Sequence, residues 1–218
     1  MAIGSCDSSK DRLVFADPDG LPLALVAQTA TPTRGHWQPE GLPESMAIQG
    51  FAGMALASHR PASTARVLTE LLGYRALSDH ADIQAFASGG DGTGDVIELV
   101  DAPEWGQPGY GSVHHVAFRV ADRSGLLTML ERVQAMGLPS SGEVDRFYFR
   151  SVYFREPGGM LFEIATDDPG FTIDESSAHL GESLLLTQAH EPMRASIEAA
   201  LPALTLPDSA VNAVVTHL

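Results

Sequence analysis

Residues 51–74, FAGMALASHRPASTARVLTELLGY, and residues 114–137, HHVAFRVADRSGLLTMLERVQAMG, share one plan. Each is a short alternating strand, a polar break and an amphipathic helix. Leu68, Leu71 and Leu72 mark the apolar stripe of one helix, and Leu126, Leu127, Leu130 and Val133 that of the other, at helical spacing. Gly73 and Gly137 stand where a helix is expected to stop. The likeness continues beyond the helices. YRALSD, IQAFAS and DVIELVDAP follow the first, and EVDRFYF, SVYFREPGG and MLFEIATDDP follow the second. Each unit therefore reads β-α-β-β-β, and a repeat of this kind fixes the architecture more firmly than composition does. Superposing the units pairs Ala52 with His115 and Glu98 with Glu163.

A third, partial copy comes earlier. RLVFADPDGLPLALVA (12–27) matches SVYFREPGGMLFEIAT (151–166) as strand, Pro-Gly turn and strand, with Ala24 at the place of Glu163. A hairpin without the rest of its sheet is marginal. The expectation is that its remaining strands come from another chain or from sequence upstream. Residues 1–46 are read as a leader, this hairpin and a Pro/Gly-rich linker (28–46). Residues 47–170 form the two-module domain (47–103 and 112–168), and residues 171–218 a helical tail containing EPMRASIEAALPAL. The fold class is α+β, with paired βαβββ modules building a curved mixed sheet.

Charge and cysteine content narrow the function. A net charge of −15 with 13 Lys+Arg argues against nucleic acid. Cys6 is the one cysteine, so neither a disulfide framework nor a cysteine zinc site is expected. No apolar run approaches the ~18 residues of a membrane span, and the N-terminus lacks a signal-peptide pattern. A soluble cytoplasmic protein is expected, and the free hairpin and open sheet edges predict a homodimer.

The chemistry centres on GSVHHVAFRV (111–120) and LFEIAT (161–166). By strand parity His115, Ala117 and Arg119 share one face, and Leu161, Glu163 and Ala165 another. A glutamate among apolar residues of a buried strand is costly unless paired or coordinating. His115 and Glu163 could be two corners of a two-His, one-carboxylate triad. The plain alternative is a structural histidine and a glutamate paired to Arg146 or Arg155. Glu98 reads as a further ligand, a pocket acid or an exposed edge residue, with a ligand role disfavoured. His59 and His80 fall in predicted loops and read as solvated, as do His36, His179, His190 and His217.

GSVHHVAFRV, DRFYFRSVYFREPGGMLFEIATDDPGF and EPMRASIEAALP together resemble the vicinal oxygen chelate superfamily of glyoxalases, bleomycin and fosfomycin resistance proteins and extradiol dioxygenases. The branch most resembled is that of ring-cleaving dioxygenases acting on hydroquinones. The resemblance spans about residues 12–205 and is most specific over 143–171. It implies metal ligation by His115 and Glu163, with ferrous or sometimes manganous ion. It implies proton handling by the neighbouring His114, and substrate contact or charge balance by Arg146 and Tyr153. It further implies an Fe(II)-dependent extradiol-type dioxygenase taking an aromatic diol and O₂. The departure lies in the ligand count, because the place of a second histidine in the preceding unit holds Ala52. The alternatives are a metal-free small-molecule-binding or scaffold module, and a glyoxalase-like isomerase or thiol transferase, which a ligand role for Glu98 would favour.

Overall fold

The computed structural model describes residues 12–27, 40–80, 83–89 and 95–202. The hairpin β1 (Arg12–Ala16) and β2 (Pro22–Val26) comes first. The first module follows as β3 (Gly53–Ser58), α1 (Pro61–Arg66), β4 (Arg75–His80), β5 (Ile83–Ala87) and β6 (Val96–Asp101). The second is β7 (Val116–Val120), α2 (Arg123–Ala135), β8 (Ser140–Asp145), β9 (Arg150–Arg155) and β10 (Leu161–Thr166). The sheets run β3-β6-β5-β4 and β7-β10-β9-β8, so the expected pair of βαβββ units is present. In each, the first strand pairs in parallel with the last and the remaining pairs are antiparallel.

Local chemistry explains the helix boundaries. The Asp122 carboxylate accepts from the Gly125 amide at 2.8 Å and caps α2. The first helix lacks such a cap and opens on Pro61 instead. It then widens into a π-turn over Val67–Leu71 before Gly73 stops it at φ 75°. One core serves both modules. Leu56, Leu68, Leu71, Phe86, Ile97 and Leu99 of the first join Leu126, Val133, Val152, Phe154, Phe162 and Ile164 of the second. The C-terminal helix is shorter than the sequence suggests. It is α3 (Arg194–Ala200), and HLGESLLL is turn and irregular chain. The leader, most of the linker and the final VNAVVTHL lie outside the described residues. Among the described residues no helix is long and apolar enough to cross a membrane.

The ladder register corrects one sequence alignment. Glu163 faces Ala117 across the parallel pair, and Glu98 faces Ala55. His115 lies two residues before Ala117, so its counterpart is Gly53, two before Ala55, and not Ala52. No side chain fits there, since a Cβ at Gly53 would stand 2.5 Å from the Val96 carbonyl oxygen. A second correction concerns EVDRFYF, read as strand. The strand ends at Asp145, whose carboxylate accepts from the Phe147 amide at 2.8 Å and turns the chain, with Phe147 at φ 71°. His80 ends β4 rather than lying in a loop. His59 is half-buried against Trp105, with ring centroids 4.7 Å apart, rather than solvated.

A charge cluster joins α2 to the second sheet. Arg123 holds both Glu143 oxygens at 2.7 and 2.8 Å, and Arg150 bridges Glu143 and Asp145. The Arg123 hydrogen bonds, helped by Arg150, pull the Glu143 carboxyl from 4.5 down to about 2. A carboxyl depressed in the folded state stabilises the fold above its ordinary range, and that contribution fades as pH falls through the folded value. The chain is therefore expected to lose stability between about pH 4.5 and pH 2. Urea midpoints taken across that window should fall less steeply in Glu143→Gln, and an unchanged slope would refute the assignment.

Candidate functional site

The second sheet buries Val116, Phe118, Phe154, Phe162 and Ile164 against α2 and the shared core. Alternation sends His115, Ala117, Tyr153 and Glu163 to the other face. There Glu163 stands beside Ala117 of β7 and Tyr153 of β9. His115 immediately precedes β7, and its Nε2 lies 2.8 Å from Glu163 Oε2. The pair brings together the two residues that the sequence proposed as ligands. Glu163 is 3% exposed, and its Oε1 is buried without a hydrogen-bond partner among the described residues.

Neither Arg146 nor Arg155 pairs with Glu163, so the arginine partner of the plain alternative is absent, and the contact that Glu163 makes is with His115. Arg155 Nη1 donates to the Gly159 carbonyl at 3.0 Å. Arg146 Nε donates to the Tyr153 hydroxyl at 3.2 Å, and its guanidinium carbon sits 5.0 Å from the Tyr153 ring centroid. The turn after Asp145 is what brings Arg146 to Tyr153, since Arg146 N bonds the Phe149 carbonyl at 2.9 Å. The Tyr153 and His115 rings meet edge-on at 6.0 Å. Sequence reasoning missed this turn, although an aspartate two residues before the turned amide is a recognisable signal.

His114 and His115 share a hydrogen bond of 2.8 Å between their Nδ1 atoms. One ring must donate and the other accept. A cation on His115 Nε2 would require the proton on His115 Nδ1, so His114 Nδ1 would accept and His114 would carry its own proton on Nε2.

The donor set fits a divalent cation as two ligands. Two donors bound cis to one ion at about 2.1 Å lie about 3 Å apart, close to the observed contact. The orphaned Glu163 oxygen offers further capacity. Among the described residues no third His, Cys, Asp or Glu joins them. Glu98 is not such a ligand. Arg12 Nη1 and Nη2 hold its two oxygens at 3.0 and 2.7 Å, and the pair is 15% and 13% exposed. It is a largely buried ion pair rather than an exposed edge residue. In the C-terminal segment, His179 bonds Glu182 at 2.9 Å and His190 bonds the Thr187 hydroxyl at 2.7 Å. His36, His217 and Cys6 lie outside the described residues.

Comparison with known proteins agrees with this architecture. The sequence profile of the Glyoxalase/Bleomycin resistance protein/Dioxygenase superfamily matches residues 50–164. MhqE of Bacillus subtilis strain 168, a candidate ring-cleaving dioxygenase, is 44% identical over 193 residues, covering 88% of this chain and 63% of MhqE. The chlorohydroquinone/hydroquinone 1,2-dioxygenase of Sphingobium indicum is 30% identical, covering 79% of this chain and 55% of that protein. A crystal structure of a dioxygenase candidate from Bacillus subtilis superposes with a TM-score of 0.83 at 36% identity, over 91% of this chain and 64% of that one. The chain thus spans less than two thirds of the length of these relatives. Sequence, module topology and solved structure converge: the chain belongs to the glyoxalase/bleomycin resistance protein/dioxygenase superfamily.

Proposed function

We propose that this chain is part of an Fe(II)-dependent, extradiol-type ring-cleaving dioxygenase acting on hydroquinone- or catechol-like aromatics, as a cytoplasmic homodimer. The observation that carries the reading is the 2.8 Å approach of His115 Nε2 to the buried Glu163 carboxylate, with one oxygen of that carboxylate unpartnered. The names of MhqE and of the hydroquinone 1,2-dioxygenase support the substrate class.

His115 and Glu163 would hold the ferrous, or manganous, ion. Such an ion, when bound, supplies electron transfer between a bound diol and dioxygen. The residues around it supply the rest. The Tyr153 hydroxyl can bond a ring oxygen of the substrate, oriented by its own contact with Arg146. The Arg146 guanidinium can balance a phenolate. His114, bonded to His115 through Nδ1, can hold or move a proton beside the reacting ring.

The test is anaerobic loading with Fe(II) followed by oxygen uptake with hydroquinone and catechol. With the two ligands that the described residues supply, the chain should bind iron weakly and turn over slowly, and His115→Ala should remove both. Failure to bind iron at all would sink the proposal. It would favour a metal-free small-molecule or scaffold module, in which His115→Ala leaves ligand binding unchanged. Light scattering at tens of micromolar checks the dimer, and a clean monomer would refute it.

A further inference from the structure

Among the described residues, two contacts of the β1–β2 hairpin bear on the site, one on the first module and one on the loop before the histidines. The first is Arg12 on Glu98. Glu98 is the first module's counterpart of Glu163, since each faces an alanine of the parallel first strand, Ala55 or Ala117. On its other side Glu163 faces Tyr153, whereas Glu98 faces Ala85. The places of His115 and Tyr153 are thus Gly53 and Ala85 in the first module. That cup lacks their side chains, and the Arg12 guanidinium grips its carboxylate with two parallel N–H···O bonds.

The second contact is at the hairpin turn. Asp17 Oδ1 accepts from the Asp19 and Leu21 amides at 2.9 and 2.8 Å and fixes the turn. The turn sets the Asp19 carbonyl against Gly111, where any Cβ would collide with it. Gly111 also has φ 74°, a conformation that side chains resist. Ser112 closes the same loop on Gly109, donating to its carbonyl at 2.7 Å and accepting from its amide at 3.0 Å. Val113 and His114 follow directly.

We propose that the hairpin is a clasp: Arg12 seats it in the first module's cup, and its turn sets the loop that delivers His114 and His115 to Glu163. Arg12, Glu98 and Gly111 are positioning residues for that pair. Among the described residues, the charged seat of the hairpin is the Arg12–Glu98 ion pair. Without it the Asp19 carbonyl leaves Gly111, and the loop no longer holds the His115 imidazole on Glu163.

The metal arm of the test rests on the proposed function; the other arm does not. Co(II) is titrated into the chain by absorbance, and the His114 and His115 imidazole nitrogens are followed by ¹⁵N NMR without metal. Arg12→Ala and Glu98→Gln should each weaken Co(II) binding about tenfold. The double variant should be no worse than either single change, and the swap R12E/E98R should restore most of the loss. The same single substitutions should shift both imidazole signals in the metal-free chain, as should Gly111→Ala with the ion pair intact. Arg194→Ala, in the tail, should shift neither. If Arg12→Ala fails to fold, Arg12→Lys keeps the charge without the fork and should give a smaller shift in the same direction. Imidazole signals unmoved by Arg12 and Glu98 substitutions in a folded chain would overturn the clasp, whatever the melting temperature does. Absence of Co(II) binding by the unaltered chain would count against the metal reading alone, leaving the imidazole signals to decide.

Discussion

Glu163→Gln should weaken divalent-metal binding by about 100-fold or more while leaving the metal-free chain at least as stable as before. The two expectations have one cause. An ionised carboxylate removed from water loses several kcal/mol of hydration unless its oxygens find donors. Glu163 is 3% exposed, and among the described residues its one polar contact is with His115 and its second oxygen has no partner. A side chain held this way lowers stability, and a cation would recover the cost. Glutamine keeps the shape, sheds the charge and can still meet the His115 ring, so the fold loses nothing that the carboxylate supplied. Calorimetry of the metal-free chain and a Co(II) titration make the check together. A large drop in melting temperature with unchanged affinity would make Glu163 a structural acid and remove the basis of the proposed chemistry.

What could be read from the sequence follows a physical division. The module plan was legible because it rests on periodicity. Alternation gave the strands and the Leu68 and Leu126 stripes gave the helices, while parity grouped His115 with Ala117 and Glu163 with Leu161 within their own strands and left the meeting of the two to the fold. Register was less legible, because loops of unequal length separate equivalent strands. Pairing Ala52 with His115 ignored the better anchor, the helix starts at Pro61 and Arg123, which align Gly53 with His115. The run FYF reads as strand by composition, yet the Asp145 side chain competes for the Phe147 amide and wins. The Arg12–Glu98 pair lay beyond reach. Its partners stand 86 residues apart, and nothing local to either names the other. The same holds for the choice among partners of Glu163, since Arg146 and Arg155 stand closer in sequence than the imidazole that the fold delivers.

The largest stability loss is expected at Glu156, a residue outside the metal pair. It is 2% exposed, and each hydrogen bond of its carboxylate comes from a donor. Oε2 accepts from the Thr64 hydroxyl at 2.6 Å and the Gly158 amide at 2.8 Å, and Oε1 accepts from the Met160 amide at 2.9 Å. The Thr64 hydroxyl lies in turn 2.7 Å from that of Ser58, and Ser58 and Thr64 are both fully buried. The cluster binds α1 of the first module to the β9–β10 turn of the second, the turn between the strands that present Tyr153 and Glu163. Glu156→Ala leaves the Gly158 and Met160 amides without their acceptor and the Thr64 hydroxyl with only Ser58 and the Arg60 carbonyl, in a space where a Cβ on Gly158 would already collide with Ser58 and Thr64. At about 1–3 kcal/mol for each unsatisfied group, a loss of about 3–5 kcal/mol is expected. Thr64→Val removes one link and should cost about 1–2 kcal/mol. Urea unfolding with an unchanged slope reads both values. Because the modules share one core, the unaltered chain should unfold in a single transition. A Glu156→Ala variant within about 1 kcal/mol of the unaltered chain would mean that core packing alone joins the modules, and that the buried carboxylate is incidental to holding the site's two strands in place.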